Sequence, residues 1–197
     1  SAPRRLIASP FFNISTLVKG APLQFSDGTI GLPVYHEMLG KFAELLRLDA
    51  EGHAIRKTRL SWGRTSLQPV IVPRSEAEAV GFMRYAGNPP NRVLMVRTTD
   101  GGATWTAPVK TSLPNPNAAV GGVLLANGPL LLALNNAQEN RESLALASST
   151  DFGNTWRIAH EFEGNSSSPQ PLLREYSYPW IMQDGAGDIH LLYTWGR

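Results

Sequence analysis

An arginine inside an apolar run, Arg84 in "GFMRY", must find either a carboxylate or an anionic ligand, because a guanidinium stays charged and presents a rigid fork of donors. Glu37 is the carboxylate that could neutralise it. Left without one, Arg84 would hold an acid such as a sugar carboxylate. Tyrosines accompany it in a pattern: Tyr35 stands directly before His36 and Glu37, and Tyr176 and Tyr178 lie in "EYSYPW". A phenol with a pKa of about 10 is a poor nucleophile until a carboxylate takes its proton, so the chemistry needs a tyrosine and a glutamate brought together. Glu175 adjoins Tyr176, but alternation along a strand would turn it to the opposite face. Tyr178 and His36 could instead abstract and return a proton beside a uronate carboxylate, the chemistry of a polysaccharide lyase.

Amides supply the rest of the polar set. Gln68, Asn115, Asn117 and Asn135 can bond sugar hydroxyls but move no protons. The competing structural reading is that they join neighbouring sheets, and that Tyr35, Tyr178 and Tyr193 are aromatics at the edge of a core. His190 is a weaker binding candidate, and His53 and His160 read as surface residues. The histidines are dispersed, with no H-x-x-H pair and no carboxylate-rich loop, so neither a metal nor a cofactor is expected.

These residues need a scaffold, and internal repeats reveal it. Asp49, Asp100 and Asp151 are 51 residues apart. The last two sit in "TTDGGATW" and "SSTDFGNTW", with Trp105 and Trp156 closing each box; the first, in "RLDAEGHAI", is a degraded copy. A motif present twice is poorly suited to a single catalytic centre. Its acid and hydroxyl can bond their own turn, its glycine supplies an unusual backbone conformation, and its tryptophan anchors the unit, so Asp100, Trp105, Asp151 and Trp156 read as structural. Prolines 22, 69, 116 and 179 mark a second series, spaced 47, 47 and 63 residues, each opening a short apolar run.

Runs such as "AAVGGVLL" and "PLLLALNN", split by the turn Asn127-Gly128, read as strands. Four short antiparallel strands in a unit of about 50 residues is a propeller blade. The fold expected is all-β, with nearly complete blades at 20–62, 66–110 and 114–162 and a partial one at 174–197. "PVYHEMLGKFAELLRL" has Met38, Phe42 and Leu45 at helical spacing, yet its place in the repeat predicts two strands joined at Met38 to Lys41. Innermost strands line the axis of a propeller. The residues at their starts (Gln68, Asn115, Asn117, Tyr176, Tyr178) should therefore gather at one opening, with Tyr35 to Glu37, Arg84, Asn135 and Tyr193 behind them.

The two boxes resemble the Asp-box, or bacterial neuraminidase repeat, of the sialidase superfamily. "LPVYHE", "LQPVIV", "LPNPNAAV", "EYSYPWIM" and "DIHLLYTWGR" are similar to a bacterial sialidase-like group. The resemblance covers essentially the whole chain, implies a six-bladed ring and places this chain in its C-terminal portion. It also implies a glycoside hydrolase acting on an acidic or unusual sugar, with an arginine cluster for the carboxylate and a tyrosine nucleophile. "EYSYPW" resembles the Tyr-Ser motif, which makes Tyr176 that nucleophile and, with Glu175 facing the other way, Glu37 the glutamate that takes its proton; Asn117 and Asn135 stand where charged residues are expected. Asp-boxes also occur in non-enzymatic propellers, so a glycan- or protein-binding module is the alternative.

Composition narrows the classes. The chain has 197 residues, 42% of them hydrophobic, enough for a substantial core. A formal charge of +2 with scattered basic residues argues against nucleic acid. No cysteine is present, and no run approaches the roughly 18 apolar residues of a membrane span. The start "SAPRRLIASPFF" does not read as a signal peptide, and a soluble protein is expected. Open blade edges should be covered by preceding blades or by self-association.

Overall fold

The computed structural model describes residues 16–38, 40–164 and 174–196; the opening stretch tested above as a signal peptide lies outside them. Every regular element described is a strand. The first sheet contains β1 (Thr16–Val18), β2 (Leu23–Gln24), β3 (Ile30–His36), β4 (Phe42–Leu48) and β5 (Ala54–Arg59), with β1 and β2 both paired to β3. The second runs β6 (Ser66–Pro73), β7 (Ala79–Tyr85), β8 (Arg92–Thr98), β9 (Val109–Pro114), and the third β10 (Gly121–Leu124), β11 (Leu130–Leu134), β12 (Leu144–Ser149), β13 (Arg157–Glu163). A two-stranded sheet of β14 (Tyr176–Gln183) and β15 (Ile189–Trp195) completes the set. All pairings are antiparallel, between strands consecutive along the sheet. This is the all-β, propeller-type architecture the repeats foretold.

The segment with helical spacing forms β3 and β4, in register from Ile30 opposite Leu48 to His36 opposite Phe42. Its apolar residues are used on both faces of the hairpin. Ala43 and Leu45 join a core cluster with Leu60, Ile71, Met83, Leu94 and Val96, which welds the first sheet to the second. Phe82, Val93, Leu113, Val120, Leu130, Leu132 and Ala147 belong to the cluster that welds the second to the third. Phe82 is fully buried, and the ring of Trp156 meets its edge at 5.6 Å. The box tryptophan thus reaches the preceding sheet as well as closing its own turn.

Inside the boxes the hydrogen bonds stay local. Asp151 Oδ1 accepts from Ser149 Oγ (2.8 Å), Asn154 N (3.0 Å) and Thr155 N (2.8 Å), and Oδ2 from Thr155 Oγ1 (2.6 Å). Asp100 does the same with Thr98 Oγ1 (2.8 Å), Thr104 N (2.9 Å) and Thr104 Oγ1 (2.5 Å). Arg97 of the second sheet donates to the third-sheet box at Phe152 O and Asn154 Oδ1, both 2.9 Å, and Arg47 of the first donates to Gly101 O at 3.3 Å. Each box is therefore tied to the preceding sheet by an arginine. The boxes lie at the ends of the strands remote from Arg84: β8 finishes at Thr98, opposite Ala79, whereas Arg84 is five residues further on, next to the last residue of β7.

Candidate functional site

At the other end of the strands, three short turns share one backbone feature. Gln68 (φ 52°), Asn117 (φ 53°) and Tyr178 (φ 53°) are non-glycine residues in the left-handed region, the first and last being the third residues of β6 and β14 and Asn117 preceding β10 by four residues. In β6 and β14 the ladder breaks at these points, between Leu67 and Val70 and between Ser177 and Trp180. Such bulges re-aim a side chain, here the Gln68 amide and the Tyr178 phenol, and the left-handed turn before β10 does the same for the Asn117 amide.

Arg84 is where they converge. Its Nε donates to Asn117 Oδ1 at 2.6 Å and its Nη1 to Gln68 Oε1 at 3.2 Å; Gln68 Nε2 in turn donates to the Tyr35 hydroxyl at 3.4 Å. The chain of bonds continues from the Asn117 carbonyl, which accepts from Arg141 Nη2 at 2.6 Å, to the ion pair of Arg141 Nη1 with Glu175 Oε1 at 2.7 Å. Burial first, then the like charge of Arg141, lowers the Arg84 pKa; Glu37, Tyr178 and Tyr35 pull it the other way. Among the described residues Arg84 makes no ion pair. Glu37 acts on it only through space.

Arg141 was not among the sequence candidates, since it lies in the polar loop "NNAQENRES" where no periodicity marks it. The only sequence hint was its place beside the strand after Asn135. Glu175, which strand alternation turns away from Tyr176, pairs with Arg141.

The other candidates make no side-chain bond to Arg84 among the described residues, although Tyr176 N donates to Arg141 O at 2.8 Å. Tyr176 is buried, 3% exposed, with its ring edge-on to Tyr193 at 6.3 Å, while Tyr178 is 49% exposed. Tyr193 donates to Glu163 Oε1 at 3.1 Å, and burial foremost, then this bond, raises its pKa. His36 is buried, stacked on Phe42 at 4.3 Å, with Nε2 2.9 Å from Glu44 Oε2; strand alternation puts it on the face opposite Tyr35. Asn115 is fully buried and accepts from Tyr85 N and Ala118 N while donating to Ala118 O. Asn135, also fully buried, donates to the carbonyls of Arg141, Ser143 and Tyr176. Both amides brace loops. His190 pairs with Asp184 at 2.8 Å and lies opposite Met182, about six residues or 20 Å down the strand from Tyr176.

Asp49, Glu51 and His53 bring three ligand-type atoms within 4.8 Å of one another in the β4–β5 turn, at the box end. Asp49 accepts there from His53 N at 2.6 Å and bonds His53 Nδ1 at 3.0 Å, which braces the degraded box. No helix among the described residues is long and apolar enough to cross a membrane.

The family model of the BNR repeat-like domain matches residues 1–191. The chain belongs to the BNR repeat-like family. Solved structures share the fold of this BNR repeat-like protein. NanB sialidase from Streptococcus pneumoniae superposes with a TM-score of 0.65 at 14% identity, over 87% of this chain and 26% of that one. The intramolecular trans-sialidase from Ruminococcus gnavus gives 0.65 at 18% identity, over 90% and 39%. A protein of unknown function from Dyadobacter fermentans DSM 18053 gives 0.64 at 16%, over 91% and 53%. The chain thus spans between about a quarter and a half of these structures. No curated protein matches it in sequence.

Proposed function

We propose that the rim cluster binds the carboxylate of an acidic sugar and that the protein acts as a glycoside hydrolase of the sialidase type. Arg84 carries this reading: two neutral amides orient it, a second arginine stands beside it, and no carboxylate among the described residues is bonded to it. Its Nε and one Nη1 hydrogen are engaged, which leaves Nη1 and Nη2 donors for a bidentate carboxylate. Arg141, already holding Glu175 and the Asn117 carbonyl, supplies field more than contact.

Tyr178 is the tyrosine we assign to attack, because it is exposed and, like Glu37, acts on Arg84 through space. Glu37 would take the phenolic proton as the tyrosyl oxygen bonds the anomeric carbon, and the departing oxygen would be protonated by an acid outside this cluster. Tyr176 is the comparator, since "EYSYPW" resembles the sialidase Tyr-Ser motif. The test is hydrolysis of 4-methylumbelliferyl sialosides and glucuronides by the intact protein. Arg84→Ala should raise KM about 10- to 100-fold and Tyr178→Phe should abolish turnover while Tyr176→Phe retains it. Unchanged turnover in Arg84→Ala and Tyr178→Phe would refute the assignment.

A second reading, a non-catalytic glycan-binding propeller, is favoured by Asn117, an amide where a proton-moving group is expected. Sugar binding by intact protein with no turnover of any substrate would select it. The lyase reading has less support, because His36 is engaged by Glu44 on the face away from Tyr35.

A further inference from the structure

Lys19 is a half-buried cation that the proposed chemistry does not use. It follows β1 directly, yet its Nζ donates to Val120 O at 2.5 Å and to Pro179 O at 2.9 Å, in the third and the two-stranded sheets. The small space beside it, about 30 Å³, is lined by Ala21, Val70, Ile71, Gly121, Trp180 and Ile181, none of them charged. Burying an ammonium with only carbonyls for company costs free energy that ordinary packing would not require. Burial pulls its pKa down to about 8.

The groups it meets are not arbitrary. Pro179 follows Tyr178 directly, and Val120 lies three residues after Asn117 at the entry to β10, so both carbonyls come just after the left-handed residues that aim rim side chains. The next residue reaches the third such turn: a Cβ on Gly20 would sit 2.4 Å from the carbonyl of Pro69, which follows Gln68. The turns also touch one another, because a Cβ on Gly121 would lie 2.8 Å from Pro179 O. Backbone approaches of this kind leave no room for a side chain.

We infer that Lys19 and Gly20 form a central hub that sets the relative positions of Gln68, Asn117 and Tyr178, making Lys19 a positioning residue for the rim site. One dipeptide contacts all three turns, and the turns belong to different sheets. The ammonium suits this task because a single charged donor can hold two carbonyls on separate strands at once. The inference rests on the reading of the rim as an anion-binding site only for its functional consequence, not for the contacts themselves.

The test uses protein labelled with 3-fluorotyrosine, whose five ¹⁹F signals are assigned with single Tyr→Phe variants. In Lys19→Met the Tyr178 signal should move towards the position of an unfolded chain while Tyr85, whose hydroxyl bonds Asn88 O in a separate loop, stays fixed. Lys19→Arg should recover much of the wild-type spectrum. Binding of N-acetylneuraminate, measured by calorimetry, should weaken by about tenfold or more in Lys19→Met and recover in Lys19→Arg, the effect of losing one charge-assisted bond. A folded Lys19→Met with an unmoved Tyr178 signal overturns the hub. Should Lys19→Met fail to fold, Lys19→Gln, which keeps a donor without the charge, decides by the same signal. A wild-type protein that does not bind the sugar overturns the anion-site reading instead, and the tyrosine spectrum still decides the hub.

Discussion

Asn117 aligns Arg84 and Arg141 together: its side-chain oxygen accepts from Arg84 Nε at 2.6 Å and its carbonyl accepts from Arg141 Nη2 at 2.6 Å. The neutral amide is essential to this arrangement. Asn117→Asp, nearly isosteric, would place a carboxylate directly on Arg84 and satisfy the charge that otherwise attracts a ligand. Affinity for a carboxylated sugar should then fall by about tenfold or more, and further than in Asn117→Ala, where the guanidinium loses an orienting bond but stays unneutralised. Calorimetric titration of both variants checks this. Equal binding by Asn117→Asp and wild type would mean that Arg84 does not receive the anion.

How far the site could be read from the chain turns on the left-handed residues. Repeats of Asp and Pro gave the strands and showed which strand ends face the rim, because hairpin chemistry and period-2 burial are local signals. Tyr176 and Tyr178 are two apart and would share a face in a regular strand. The bulge between Ser177 and Trp180 breaks that rule, so one is 3% exposed and the other 49%. Nothing in a single sequence marks a tyrosine as left-handed, since the conformation is imposed by the packing around it. Arg141 was missed for a related reason, as a loop residue has no periodic neighbours to set it off. Asn115 and Asn117 look alike in "NPN", and only the turn between them sends one inward to brace and the other to the rim.

Lys19 makes stability depend on alkaline pH with a definite sign. Its pKa is about 8 in the fold and 10.5 ordinarily, so between these values the unfolded chain binds more protons and stability rises with pH. At about 1.4 kcal/mol per pH unit, the full rise is about 3 kcal/mol. Urea unfolding at pH 7.5, 9 and 10.5 should show it in the wild type, relative to Lys19→Met. Taking the difference removes the opposing contribution of Tyr193, which both proteins share. A difference that does not change with pH would mean that the ammonium is not buried as described.

The boxes should make the fold acid-sensitive without touching the site. Hydrogen bonds from Thr104 and then Thr98 hold Asp100 at about 2, and those from Thr155 and then Ser149 do the same for Asp151. A carboxylate depressed in the fold contributes stability that is present above its ordinary value of 3.8 and is lost as pH falls towards 2. Asp151→Asn should lower the melting temperature at neutral pH and flatten its decline in acid. Sugar binding should be unchanged, because the box sits at the opposite end of the strands. Thermal melts from pH 2 to 7 alongside calorimetry test both halves.

Asn135 should behave as a brace. At full burial its amide donates to the carbonyls of Ser143, before β12, and Tyr176, in β14, and Asn135→Ala takes that donor from both, while Arg141 O keeps Tyr176 N. The expected loss is about 2–3 kcal/mol in chemical denaturation. A substrate-binding amide would instead cost affinity with little effect on stability.

The two-stranded sheet predicts association. Trp180 pairs with Leu192 across β14 and β15, and both project from the face with Met182, exposed by 38%, 61% and 44%. The outer edge of β15 has no strand partner among the described residues. An apolar face beside an open edge is the arrangement soluble proteins avoid, because water must hydrate the one and stray strands can extend the other. We therefore expect the 197-residue chain to self-associate through this sheet when it is expressed alone. Light scattering over a concentration series should show species larger than a monomer, and Trp180→Ser with Leu192→Lys should return them to one. A wild type that stays monomeric at high micromolar concentration would show that this face needs no cover, and that its tryptophan and leucine tolerate water as isolated surface residues do.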